Sequence, residues 1–252
     1  METRVMELLT EAGYGVKAIE SVKGGVKVKG IAVDQGTNAM PTFYPALMDG
    51  SADDIATAII GTLKSIEPKT FELDILADYE AVKGRLIVAL RPVVAGDPDM
   101  ITRPFLDLEM VAKVVIGTDE GGQSAARVSR GLVKTWGVTE DEVFAKAIAN
   151  GHEFKSFEFF GMDILSNEAK VDGAAVMLYP DEFKPLAEKF DDDVVIIPSS
   201  RHEVIAMPAG NISSEEAAEM IQNVNSTEVE PQDVLSDHAY IYRRGSNTVE
   251  VY

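Results

Sequence analysis

Residues 194–208 read VVIIPSSRHEVIAMP. Two apolar runs flank five polar residues, Ser199-Ser200-Arg201-His202-Glu203. Short runs rich in β-branched residues, broken by a polar insert, are the pattern of two adjacent strands that turn back on each other. Pro198 to Arg201 are expected to make the tight turn, with Pro198 closing the first strand because proline brings no N–H to a ladder. One serine hydroxyl is expected to bond nearby backbone, as turn serines do. The same five positions gather two hydroxyls, an imidazole and a carboxylate, so this corner is also the first place to look for chemistry.

Working outward, Ala174–Leu178 reads as a continuous apolar strand and Asp181–Phe190 as a helix. Beyond the turn, Ser213 with Glu216 makes a capping box that opens a helix to Val224, and Ala239–Tyr242 with Thr248–Tyr252 makes a closing hairpin across Arg244-Gly245-Ser246-Asn247. The order expected for this part is β-α-β-β-α-β-β. The fold class is therefore α+β, with mixed or antiparallel sheets and covering helices.

The earlier chain continues in the same style. A helix over Met1–Glu11 precedes strands at Gly15–Val22 and Val26–Val33, joined around Lys23-Gly24-Gly25, and Thr42-Phe43-Tyr44 supplies a third. Ser51 with Asp54 opens a helix whose Ile55, Ile59 and Leu63 share one face. Leu73–Val82 reads as a short helical stretch, Leu86–Leu90 as a strand and Phe105–Ile116 as one half-buried strand, punctuated by Gly117, Gly121 and Gly122. Thr139 with Glu142 caps a further helix that stops at Gly151. The expected organisation is an N-terminal α+β region over 1–160 and a C-terminal α+β unit over 161–252, able to pack as one globule. The aromatic stretch EFKSFEFFGMD around Phe154, Phe157, Phe159 and Phe160 is expected to pack on the core, with an exposed docking patch as the alternative.

Composition narrows the function classes. The chain has no cysteine, which excludes disulfides, thiol nucleophiles and cysteinyl metal sites. Its start, METRVMELLTEAGYG, is acidic where a signal peptide is basic and then apolar, and no apolar run reaches the roughly 18 to 20 residues of a membrane helix. A cytoplasmic protein off the membrane is the expectation. The net charge is -19, and residues 171–252 alone hold 5 basic against 16 acidic residues, a net of -11. Such a chain repels phosphate backbones, so direct nucleic-acid binding is disfavoured and a protein partner, a basic one in particular, fits the charge.

The segments PTFYPALMDG, RPFLDLEMVAKVV, TWGVTEDEVFAKAIAN, DGAAVMLYPDEFKPLAEKF, VVIIPSSRHEVIAMP and NVNSTEVEPQDVLSDHAYIY together resemble an uncharacterised domain-of-unknown-function family numerous in gut Firmicutes. The likeness covers nearly the whole chain. Its most specific part is the Leu-Tyr-Pro element followed by Pro-Ser-Ser-x-His-Glu. The start departs from the family pattern by being shorter than its usual helical section. The resemblance implies a fold and brings no activity.

The candidate catalytic residues are Ser199, Ser200, His202, Glu203, Asp237 and His238. A hydrolase reading takes Ser199 or Ser200 as nucleophile, His202 as base and Glu203 or Asp237 as orienter. No Gly-x-Ser-x-Gly elbow accompanies them. A metal-dependent or proton-transfer reading unites His202, Glu203, Asp237 and His238, and requires the closing hairpin to lie beside the Glu203 strand. Neither these nor His152 has His-Glu-x-x-His spacing, Asp191-Asp192-Asp193 lacks the glycine and terminal glutamate of a calcium loop, and no phosphate-binding glycine motif is present. No cofactor and no resident metal are expected. A non-enzymatic binding or regulatory role ranks first, an enzyme using the Ser199–Glu203 and Asp237–His238 region second, and an acidic inhibitor that mimics nucleic acid third.

Overall fold

The computed structural model describes residues 1–23, 26–93, 99–119, 122–151, 153–159 and 162–252. Two compact units are formed, Met1–Glu72 and Leu73–Tyr252. In the first, helix α1 (Glu2–Glu11) precedes strands β1 (Gly15–Lys23), β2 (Val26–Asp34) and β3 (Thr42–Phe43), and helix α2 (Ala52–Ser65) closes it. The three strands form one antiparallel sheet in the order β1-β2-β3, while Gly24 and Gly25 of the expected turn lie outside the described residues. The Ser51 hydroxyl accepts from the Asp54 N–H and the Asp54 carboxylate accepts from the Ser51 N–H, which fixes the start of α2. That start sets the helical phase. Ile55, Ile59 and Leu63 consequently face Val5 and Leu9 of α1 and Ile31 and Val33 of β2, each burial contributing roughly 1.5–3 kcal/mol.

The larger unit opens with a 3-10 turn at Leu73–Ala77 and the short helix α3 (Tyr79–Val82), whose N-terminal N–H groups are accepted by Asp78. Strands β4 (Leu86–Pro92), β5 (Thr102–Phe105), β6 (Leu108–Asp119) and β7 (Gly122–Arg127) form an antiparallel sheet in which β6 pairs with all three others. The expected single strand over Phe105–Ile116 is instead a hairpin. It turns at Leu106-Asp107, with Leu106 in the left-handed region at φ 53, a conformation that leucine's propensity does not announce. Helices α4 (Arg130–Trp136) and α5 (Glu140–Asn150) cover this sheet, with Val133, Trp136, Val143, Phe144 and Ala147 against Val88, Ala112 and Val114. The Thr139–Glu142 capping box and the Gly151 stop of α5 are both present.

The second sheet is built from β8 (Phe154–Phe159), β9 (Met162–Asn167), β10 (Val194–Ser200), β11 (Glu203–Pro208), β12 (Tyr240–Arg243) and β13 (Thr248–Val251). Their order is β13-β12-β10-β11-β9-β8, and every neighbouring pair is antiparallel. Helix α6 (Lys184–Phe190) contributes to the core on one face and α7 (Ser214–Thr227) to the core on the other. Strand β10 therefore alternates between two cores: Val194 and Ile196 join α6, Val195 and Ile197 join α7. A strand covered on both faces reads as an unbroken apolar run, and VVII is one.

Ala174–Leu178 is not a strand. Gly173–Leu178 is a 3-10 helix in which Ala174, Ala175, Val176 and Met177 are all fully buried. A run this short, buried on every side, carries no alternation that separates strand from helix. Strand β9 takes the place expected for it, so the β-α-β-β-α-β-β order begins at Met162. The boundary expected at 160/161 falls between β8 and β9, which pair with each other, and the division of the chain lies at 72/73. Of the aromatic stretch, Phe154 packs on the core and against Tyr179 (ring centroids 5.3 Å apart), Phe157 is 43% exposed, and Phe160 lies outside the described residues. Among the described residues no helix is long and apolar enough to cross a membrane.

Candidate functional site

The β10–β11 corner differs from its expected form by one step. Pro198 lies within the ladder opposite Val204, Ser199 is bulged out, and Ser200 pairs with Glu203, so the two turn residues are Arg201 and His202. Neither has positive φ. Such a turn fits the right-handed twist of a hairpin poorly, and a bulge in the adjoining strand adds twist. The Ser200 hydroxyl accepts the His202 N–H at 3.0 Å, the side-chain-to-backbone bond expected of a turn serine.

Three other segments seize the tip. The Arg201 N–H donates to the Asp233 carbonyl (2.8 Å), the Arg201 carbonyl accepts from the Ala174 N–H (3.2 Å), and the His202 carbonyl accepts from the Ser166 hydroxyl (2.7 Å). Gly173 permits this closeness. A Cβ there would stand 2.3 Å from the His202 carbonyl oxygen and 2.4 Å from Ser166 Oγ.

The His202 ring is held at both nitrogens. Nδ1 accepts the Asp172 N–H at 3.2 Å, so it carries no hydrogen, and Nε2–H donates to Asp233 Oδ1 at 3.2 Å. Arg201 Nε lies 3.3 Å from both Nε2 and Asp233 Oδ1. With Nε2 a donor, the carboxylate is the acceptor for Arg201. Beneath the tip, Asp172 Oδ2 pairs with the Lys113 ammonium of β6, while Oδ1 lies 3.7 Å from Arg201 Nη2. Asp172 is 2% exposed and its Oδ1 has no hydrogen-bond partner. Burial pushes the Lys113 ammonium below the ordinary lysine range, against the opposing pull of Asp172.

The sequence-predicted residues separate into five arrangements. Ser199 donates to Glu203 Oε1 (3.0 Å), Ser200 serves the turn backbone, and His202 belongs to Asp172 and Asp233. His238 Nε2 bonds Asp107 Oδ2 at 2.8 Å, on the β5–β6 turn, and the Tyr240 hydroxyl donates to Asp107 Oδ1 at 3.0 Å. Burial holds the Tyr240 phenol protonated well above the ordinary tyrosine range. Asp237 Oδ1 accepts from Asn225 on α7 at 2.9 Å. The closing hairpin β12–β13 pairs beside β10 and not beside the Glu203 strand, which is why His202 and the Asp237-His238 pair have different partners. Among the described residues no cluster of three or more His, Asp or Glu side chains is disposed to hold a metal ion, and His152 lies outside them. The acidic run Asp191–Asp193 is engaged: Asp191 with Arg244, Asp192 with the Gly210 N–H, and Asp193 with Arg243 and the Arg244 N–H.

The residues that complete the tip, Lys113, Asp172 and Asp233, were not among the sequence candidates. Asp172-Gly173 was a legible signal, because an Asp-Gly dipeptide marks a turn. Asp233 carried none.

The model of a family of unknown function (DUF5688) matches residues 1–165 and 161–244, so the chain belongs to that family. No curated protein and no solved structure matches it.

Proposed function

We propose that this protein is a non-enzymatic binding or regulatory protein of the cytoplasm, in which the Ser199–Glu203 corner is a structural clasp. The observation that carries the reading is the commitment of both His202 ring nitrogens, one to a backbone N–H and one to Asp233. A general base for a serine needs a ring nitrogen facing that hydroxyl. Here the Ser199 hydroxyl donates to Glu203 and the Ser200 hydroxyl accepts from backbone. The net charge of -19 supports a basic protein as the partner and opposes direct contact with nucleic acid.

The test compares wild type with His202→Gln and Ser199→Ala. Chromogenic carboxylic and phosphate esters, offered with and without divalent cations, are expected to show no turnover above buffer, and both variants are expected to melt at lower temperature. Turnover that disappears in His202→Gln at unchanged melting temperature would establish the enzyme reading instead. Salt-sensitive retention on immobilised DNA contradicts the electrostatic part of the proposal, and competition with DNA for a basic protein favours the mimic.

A further inference from the structure

Several unfavourable features coincide around the Arg201-His202 tip. Lys170 and Asp172 take left-handed backbone at φ 52 and 56, a region that glycine occupies far more readily. Asp172 buries a carboxylate oxygen without a hydrogen-bond partner, and Lys113 is buried beside it. Strain and orphaned polar atoms collect where a structure has a second state to reach.

His202 is placed to choose between two states. Its Nδ1 holds the Asp172 N–H only while that nitrogen is bare. A proton on Nδ1 sets two donors face to face and breaks the bond. The same residue carries Oδ1, which is ion-paired with Arg201 Nη2 at 3.7 Å, too far for a hydrogen bond, and so keeps a hydrogen-bond acceptor of the right kind for Nδ1–H.

We infer that the Arg201-His202 tip is a two-position proton latch: a bare Nδ1 is held by the Asp172 amide, and a protonated Nδ1 by the Asp172 carboxylate. Asp233, from the segment before β12, accepts Nε2–H in both positions and acts as the pivot. The other charged groups at the tip are Arg201, whose Nε lies 3.3 Å from the ring's Nε2, Glu203, engaged by Ser199, and Lys113 of β6, paired with Asp172. The bonds from Ala174 N–H to Arg201 and from Ser166 to His202 transmit the change to the buried 3-10 segment and to β9. The latch goes beyond the binding role proposed above and depends on no partner.

Nuclear magnetic resonance of the 15N-labelled protein tests it between pH 8 and about pH 5, the interval in which imidazoles change charge. At pH 8 His202 is expected to show a bare Nδ1 and a protonated Nε2. On acidification the Asp172 amide is expected to shift and to lose roughly fivefold to tenfold of its intrinsic-rate-corrected exchange protection, the worth of one hydrogen bond. The Ala174 amide should follow with the same midpoint while secondary structure is retained. His202→Gln keeps a donor and an acceptor without a titrating nitrogen, and is expected to abolish the step. Protonation of His202 that leaves the Asp172 amide unmoved overturns the latch, as does a step that survives in His202→Gln. The wild-type measurement decides the matter even where the variant fails to fold.

Discussion

Replacing Gly173 with alanine adds one methyl group at the point where the 3-10 segment touches the hairpin tip. The added carbon would meet Ser166 Oγ at 2.4 Å, the Asn167 nitrogen at 3.0 Å and the His202 carbonyl oxygen at 2.3 Å. Ser166 can rotate away, at the loss of its bond to His202. The carbonyl belongs to the backbone of a two-residue turn and moves only if the tip lifts. Lifting removes the bonds from Ser166 Oγ, the Ala174 N–H and the Asp172 N–H, each contributing about 1 kcal/mol. Residual overpacking adds about 1–3 kcal/mol. The expected cost is about 4–6 kcal/mol, which at a urea m-value of about 2 kcal/mol/M lowers the midpoint by about 2–3 M. The assay is urea unfolding followed by Trp136 fluorescence, which reports on the larger unit. Gly245→Ala is the control, since nothing lies within 4 Å of a Cβ there. A Gly173→Ala midpoint equal to that of the control would refute the claim that the tip is clasped at this position.

Three further outcomes follow from the same geometry. Lys113→Met strands the buried Asp172 carboxylate and is expected to cost about 3–5 kcal/mol; adding Asp172→Asn, which tolerates left-handed backbone, should restore most of it in the same urea assay. Burial works to raise the Asp193 carboxyl, but the Arg244 N–H and the Arg243 guanidinium outweigh it and hold it below the ordinary range, and the capping N–H and hydroxyl of Thr139 do the same for Glu142. Their stabilisation is therefore present above the unfolded carboxylate range and lost as pH falls through the folded values, so melting temperature should drop below about pH 4, with a shallower drop in Asp193→Asn. Trp136→Phe removes the donor to the Leu76 carbonyl, now 2.7 Å away, and should cost about 1–3 kcal/mol by thermal unfolding.

The parts of the fold that were legible carry their own signals. The α2, α5 and α7 helices each begin with a hydroxyl residue followed three positions later by an acid, and all three capping boxes form. Strand β10 announces itself by VVII, but Ala174–Leu178 shows the same unbroken apolar character for a different reason, burial within a 3-10 turn. Strand β7, GQSAAR, has little β-propensity and owes its conformation to pairing with β6. At the site, the corner was readable because strand period and turn residues are local. The ring's partners were not, because Asp172 and Asp233 lie 30 and 31 residues away in sequence and reach His202 through the packing of the whole sheet. The bulge at Ser199 moved the turn onto Arg201 and His202, which changed the histidine from a strand residue into a ring at the tip.

The order β13-β12-β10-β11-β9-β8 has a consequence for biogenesis. Each of the three hairpins pairs residues close in sequence, but the seam between β10 and β12 joins Val194–Ile196 to Tyr240–Tyr242 across α7. During synthesis the emerging Val194–Ile197 strand has its β11 neighbour within a few residues and must wait for Tyr240 before its other edge is covered. For that interval the most apolar strand of the sheet presents a row of unpaired N–H and C=O groups, the kind of edge on which nascent chains pair with one another. A chaperone or ribosome-proximal environment that shields residues 194–197 until the β12 hairpin arrives would raise the yield of folded protein without touching the stability of the finished fold.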